Sequence, residues 1–383
     1  MPGSSWTTRV WHADAIRSAR EGAQVEAARD RLATEADDAI DAGPFSVRHA
    51  GAIPPSGDEH DYLSQGPYWW PNPDTDDGLP YVRRDGERNP EVDDLDKPEL
   101  TGMLDAVETL SLAGYVLEES AYADRTGTLL RTWFLDPETL MNPNLRYAQR
   151  IPSRTEGRGI GIIDTHRFPV LCDAIELVRA MQGISAEEYG ALREWFESFL
   201  EWLFESDNGR DESAHPNNHG TWYDAQTLGL AEFVGREETA RCLARTTHVG
   251  ERHVAAQIEE DGRQPEELSR TRPHAYSVFN LRGLTTLARL YESVDADLWT
   301  FEKRYGGSIR LALDWLGREL DDRAWDTEGD DLLPFPVASA VSLYLRAASA
   351  YNDPEYARVA LGLPGTWEDH RARLVYPEPP SPR

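Results

Sequence analysis

The sequence predicts an all-α protein of antiparallel helical hairpins closed into an (α/α) toroid, with residues 1–383 as one domain. Three observations carry this. From about residue 98 onward, apolar residues recur at helical spacing between short turn signals. Runs of alternating β-branched residues are scarce, and no fixed-period repeat of a solenoid stands out. Helices joined by short connections pack as antiparallel neighbours.

Taken in order, residues 51–98 escape the helical pattern: they are rich in Pro, Gly and Asp yet carry Tyr62, Tyr68, Trp69, Trp70 and Tyr81. Long loops in compact domains are functional or disordered, and disorder disfavours aromatics. An ordered loop across a cleft is therefore expected. Helices are expected near 100–119, 168–181, 222–233, 236–259, 277–292, 307–320 and 337–351. Another opens on Ser185 and Glu188 at capping-box spacing and places Leu192, Trp195, Phe196, Phe199 and Leu203 on one face. Asp136–Pro137 and Asp353–Pro354 each offer an N-cap followed by proline at the first helical position. Residues 376–383, "YPEPPSPR", read as an extended tail.

The formal net charge is −29, from 39 Lys plus Arg against 68 Asp plus Glu. Only Lys97 and Lys303 are lysines. An acidic surface this poor in lysine fits a halophilic protein, whose self-repulsion concentrated salt would screen; a GC-rich genome would also favour arginine. Duplex nucleic acid is an unsuitable partner, because phosphate binding needs a basic face. Cys172 and Cys242 form no disulfide framework, and Cys172 sits in an apolar run that suits a buried position. With no apolar leader region and no stretch of about 18 apolar residues, a soluble, cytoplasmic protein without membrane contact is expected.

Two segments hold the chemistry. "NNHGTWYDAQ" supplies Asn217, Asn218, His219 and Trp222, and "DGRQPEELSRTRPHAYSVFNL" supplies Arg270, Arg272, His274 and Tyr276. Amide, imidazole, guanidinium and phenol suit β-elimination from a uronic acid in a polysaccharide. The C5 proton lies next to a carboxylate, so its removal adds negative charge to a group already charged. Amide and guanidinium donors would hold that charge. His and Tyr would take the proton and protonate the departing glycosidic oxygen. The reaction needs no metal or organic cofactor. His215 and His219 stand four apart, but Pro216 and two asparagines between them argue against a helical metal pair.

With these segments quoted, the sequence resembles the alginate-lyase-type polysaccharide lyases, whose fold is an incomplete (α/α) toroid. Two further stretches share the likeness: "DYLSQGPYWWPNP…GLPYVRRDGERNP", similar to the family's aromatic loop, and "GRGIGIIDTHRFP" at 157–169. The resemblance implies that Asn218 neutralises the substrate carboxylate, His219 is a base and Arg270 a second neutralising group. It implies that Tyr276 is the phenol serving the leaving oxygen, and also the base for one epimer. Between Arg270 and Tyr276 the chain has one residue fewer than better-known alginate lyases. Arg272 is thus a competitor for the Arg270 role, and glucuronan-like or mixed uronates stand beside alginate as substrates. Tyr68, Trp69, Trp70, Arg88, Arg158, His166, Asn217, Trp222 and Arg272 are candidates for binding an anionic polysaccharide or oligosaccharide.

Each choice has a plainer reading. Asn217 and Asn218 also suit a cap and turn before the 222–233 helix. Tyr276 suits a core position, and Trp69 and Trp70 could anchor their loop rather than stack on sugars. His166 and Asp164 either line the site or cap the helix near Phe168. A glycoside hydrolase using two carboxylates, or a non-catalytic carbohydrate-binding protein, are the competing functions.

Overall fold

The computed structural model describes residues 6–22, 25–246, 254–302, 307–321, 335–365 and 367–377. Helices α1 (Ala13–Arg20) and α2 (Glu26–Ala39) come first, then strands β1 (Leu63–Gln65), β2 (Trp69–Trp70) and β3 (Val82–Arg83). Next are α3 (Lys97–Leu117), α4 (Ser120–Phe134), β4 (Tyr147–Arg150), α5 (Phe168–Ala180), α6 (Ala186–Glu205) and α7 (Asp207–Ser213). The rest is helical: α8 (Asn218–Phe233), α9 (Glu237–Thr246), α10 (Val254–Gln257), α11 (Pro265–Leu268), α12 (Pro273–Glu292), α13 (Ile309–Asp321), α14 (Val337–Tyr351), α15 (Pro354–Gly362) and α16 (Ala372–Val375). The all-α expectation holds.

The chain groups into two compact units: residues 1–6, 35–214 and 230–236, and residues 7–34, 215–229 and 237–383. In the first unit, α3, α4, α5 and α6 pack on one another as hairpin neighbours. Their core is aromatic. Phe168 meets Phe134, Trp195, Phe196 and Phe199 with ring centroids 5.4–6.4 Å apart, mostly edge to face. The expected face of α6 is the buried one, and both halves of the Ser185–Glu188 capping box form. In the second unit, α12 packs on α13 and α14, and α14 on α15.

The segment 51–98 is ordered. β1 pairs in parallel with β4, and β2 with β3 as an antiparallel ladder placing Trp69 opposite Arg83 and Trp70 opposite Val82. Asp164, 5% exposed, ties this segment down, accepting from Tyr62 Oη at 3.0 Å, Ser64 Oγ at 2.7 Å and Lys97 Nζ at 3.1 Å.

Some expectations change. Asp136–Pro137 starts no helix: the Asp136 carboxylate accepts from the Glu138 amide at 2.9 Å, but the following residues close a single turn. At Asp353 the same signal works, its carboxylate accepting from the Glu355 amide where α15 begins. Contrary to expectation, α3, 21 residues long, holds an 18-residue window of mean hydropathy 1.2, apolar and long enough to cross a membrane. Two-thirds of that stretch is buried within the protein, which makes α3 a core helix. The expected 236–259 helix is α9 and α10, with 247–253 outside the described residues. Of the expected tail, Tyr376 is buried and takes Arg346 Nε at 2.9 Å, while 378–383 lie outside the described residues.

Candidate active site

The two chemistry-bearing segments meet within the second unit. Helix α8 begins at Asn218, earlier than periodicity suggested, because Asn217 caps it: the Asn217 carboxamide oxygen accepts from the His219 amide at 3.1 Å. This puts Asn218 and His219 in the first turn of α8. Asn217 is thus placed as a cap.

Asn218 is 1% exposed and its partner is Glu267, on the single-turn helix α11. Glu267 accepts the Asn218 backbone N–H at 2.7 Å with one oxygen and Asn218 Nδ2 at 2.8 Å with the other. An ionised carboxylate only accepts, so the nitrogen of the Asn218 amide must face it. One Nδ2 hydrogen is used here and the second points elsewhere. Glu267 is itself buried, and burial pushes its carboxyl above the ordinary 4.5, opposed by the Asn218 donors and by the charges of His219 and Arg270. The Arg270 backbone amide donates to the Glu267 carbonyl at 3.2 Å, and His219 follows Asn218 directly in α8.

Arg270 follows α11, and Tyr276 sits in the first turn of α12, which opens on Pro273. Arg270 Nη2 donates to Tyr276 Oη at 2.8 Å, and its guanidinium lies 4.0 Å from the Tyr276 ring centre. A positive charge therefore rests on both the face and the oxygen of the phenol. Asn218, His219, Glu267, Arg270 and Tyr276 form one cluster.

Other candidates flank it in the chain. Trp222 is buried, its ring 5.4 Å from Phe279, so it packs in the core of the second unit. Arg272 is half-buried just before α12. The His215 and His219 rings are 5.5 Å apart, but His215 precedes the helix. Among the described residues no group of three or more His, Cys, Asp or Glu is arranged to hold a metal.

Tyr68, Trp69, Trp70, Arg88, Arg158 and His166 belong to the first unit. Trp69 and Trp70 are half-buried, with Arg154 5.1 Å from the Trp69 ring centre and Arg84 5.1 Å from that of Trp70. Tyr68 holds the ladder through its carbonyl, which takes the Arg84 amide at 2.8 Å. Arg88 is a surface partner of Asp93. Arg158 donates to the Gln149 carbonyl and side chain at 3.0 and 2.9 Å, and burial with Arg83 nearby lowers it to about 10. His166 Nδ1 meets the Ile163 carbonyl at 2.9 Å, a local contact.

Glu267, three residues before Arg270 in the family's pattern, is the residue to which the motif reading gives no role. The sequence offers Glu266 and Glu267 side by side, and only helical phase separates them, leaving the first exposed and the second buried.

The alginate lyase family model matches residues 46–325. A crystal structure of an alginate lyase from Bacteroides ovatus is similar at 33% identity and TM-score 0.92, over 97% of this chain and 100% of that one. Alginate lyase A1-III from a Sphingomonas species is similar at 14% identity and TM-score 0.56, over 94% and 99% of the two chains. A variant of A1-III complexed with a tetrasaccharide gives 14% identity and TM-score 0.63, over 99% and 98%. These A1-III likenesses speak to fold alone. Curated proteins give no match. Helical hairpins, the extent of the family match and the close likeness at 33% identity converge: the chain belongs to the alginate lyase family, is a polysaccharide lyase, and has the (α/α) toroid fold class.

Proposed function

We propose that the chain cleaves β-1,4-linked uronate polymers or oligomers, alginate, glucuronan or a related polymer, by β-elimination to 4,5-unsaturated products. The observation that carries this is the pairing of a carboxylate-held amide, Asn218 on Glu267, with a guanidinium-held phenol, Tyr276 on Arg270, in one cluster. In the elimination a base removes the C5 proton, the C5–H electron pair becomes the C4–C5 double bond, and the C4–O bond breaks. The departing oxygen takes a proton. The second Asn218 Nδ2–H and Arg270 would hold the substrate carboxylate as charge moves onto it. His219 would act as base for one epimer. Tyr276 would donate to the leaving oxygen and act as base for the other, with Arg270 beside its oxygen when that oxygen carries negative charge. The Trp69–Trp70 ladder, with Arg154 and Arg158 around it, offers ring faces and positive charge suited to an anionic sugar.

The test is incubation with polyguluronate, polymannuronate and glucuronan in concentrated salt, following the ultraviolet band of a C4–C5 double bond. Growth of that band is expected. New reducing ends without it would indicate hydrolysis and overturn the reading. Tyr276→Phe is expected to keep the fold and lose most turnover, roughly 100-fold or more if one proton-transfer group is removed. A folded variant with wild-type rates would remove Tyr276 from the mechanism.

A further inference from the structure

Behind the cluster lies a second set of polar side chains that the reaction does not touch. Thr221, Gln257, Gln264 and Asn280 are each 4% exposed or less. Asn280 Nδ2 donates to Gln257 Oε1 at 3.0 Å and to Gln264 Oε1 at 2.8 Å. Thr221 Oγ1 donates to the same Gln257 oxygen at 3.1 Å. Gln264 Nε2 points at the Ser277 carbonyl, 3.5 Å away, which turns its oxygen toward Asn280. Burying four polar side chains costs free energy that an apolar set would not, unless each finds partners.

Their places in the chain give the arrangement a use. Thr221 lies one turn along α8 from Asn218, and Asn280 one turn along α12 from Tyr276, so each shares a helix face with a site residue. Gln264 starts α11, its carbonyl taking the Glu267 and Leu268 amides at 3.1 and 2.9 Å. A circuit closes: Asn218 to Glu267, through α11 to Gln264, to Asn280 on the phenol helix, to Gln257, to Thr221, and back along α8 to Asn218. Asn280 is the member on the phenol helix, with one donor for each of the other two segments.

We infer that Asn280 is a positioning residue: it fixes the α12 helix bearing Tyr276 against the segments that carry Asn218 and Glu267. The inference rests on the elimination chemistry proposed above, in which the amide and the phenol must face one sugar. A displacement of about 1 Å at a reacting group can cost on the order of 100-fold in rate.

Asn280→Leu keeps the size and removes both donations. Its kcat on a uronate polymer is expected to fall roughly 10- to 100-fold, with KM held within about threefold because the groups that bind substrate remain. A residue that only stabilises the fold would instead lower the melting temperature and leave kcat and KM unchanged in assays well below it; that result overturns the inference. If Asn280→Leu does not fold, Thr221→Val decides, since it removes only the hydroxyl at the far side of the circuit. Its kcat is expected to drop several-fold, and an unchanged kcat in a folded Thr221→Val protein overturns the circuit. Should the wild-type protein form no unsaturated product, the elimination chemistry fails separately. Crystal structures of wild type and of a variant then decide positioning: a shifted Tyr276 phenol supports it and an unmoved one overturns it.

Discussion

At the scale of single residues, the site is a matter of which hydrogen each acceptor holds. Glu267, when ionised, offers each oxygen purely as an acceptor to one Asn218 N–H. Burial raises its carboxyl above 4.5, so it takes up a proton at a higher pH than an exposed glutamate. As pH falls through that raised value, the carboxylate loses its charge and one oxygen becomes a weaker acceptor, so its hold on Asn218 loosens. The acid limb of kcat/KM is expected to have its midpoint above 4.5. The linkage has the opposite sign for stability. The folded chain holds this proton more tightly than the unfolded one, so the contribution of Glu267 to stability grows as pH drops through the window. Activity lost on that limb without a fall in melting temperature, measured on the same samples, is the signature; parallel loss of both would contradict it. Glu267→Gln is expected to abolish the limb and lower the rate at every pH, since an amide nitrogen cannot accept. An unpaired buried donor costs about 1–3 kcal/mol, so the loss is expected at roughly 10- to 100-fold.

At the scale of elements, α6 and α15 were legible because their capping signals agree with their apolar faces. The α12 start was legible in part: the apolar pattern expects a helix from about 277, though Pro273 begins it. Helix α4 was not singled out, and the reason is local. Its middle reads Thr126-Gly127-Thr128, and glycine with β-branched neighbours is a poor helix former. Packing explains the glycine: a Cβ on Gly127 would stand 2.1 Å from the Gly183 carbonyl oxygen. Gly127→Ala, which in an exposed helix gains about 1 kcal/mol, is therefore expected to destabilise the protein, read as a lower midpoint in urea. A raised midpoint would contradict the close approach. Asp136 misled for the converse reason, since its cap hydrogen bond forms but the chain turns away after one turn. The site was legible as residue types in two segments. The circuit through Gln257, Gln264 and Asn280 was not, because buried amides carry no sequence mark that separates them from exposed ones.

At the scale of the whole molecule, the charge of −29 dominates. Many arginines are spent locally against it: Arg236 on Glu197 and Glu201, Arg358 on Asp321 and Glu355, Arg241 on Glu237 and Glu238. Such exposed pairs contribute about 0–1 kcal/mol each, so they do little to offset the excess of acidic groups. Added salt shortens the Debye length to about 3 Å at 1 M and screens that repulsion. The melting temperature is expected to rise from 0.1 to 2 M potassium chloride, and the rate on an anionic polymer to hold or rise over the same range. A flat or falling melting curve would set aside the reading of the composition as an adaptation to salt. The same composition bears on handling the protein at the bench. With Lys97 committed to Asp164, reagents that couple to primary amines would find few sites, and acylating Lys97 would strip a buried carboxylate of its counter-charge. Immobilisation through carboxyl groups or a thiol at Cys242, which is exposed, would leave that anchor of the aromatic segment intact.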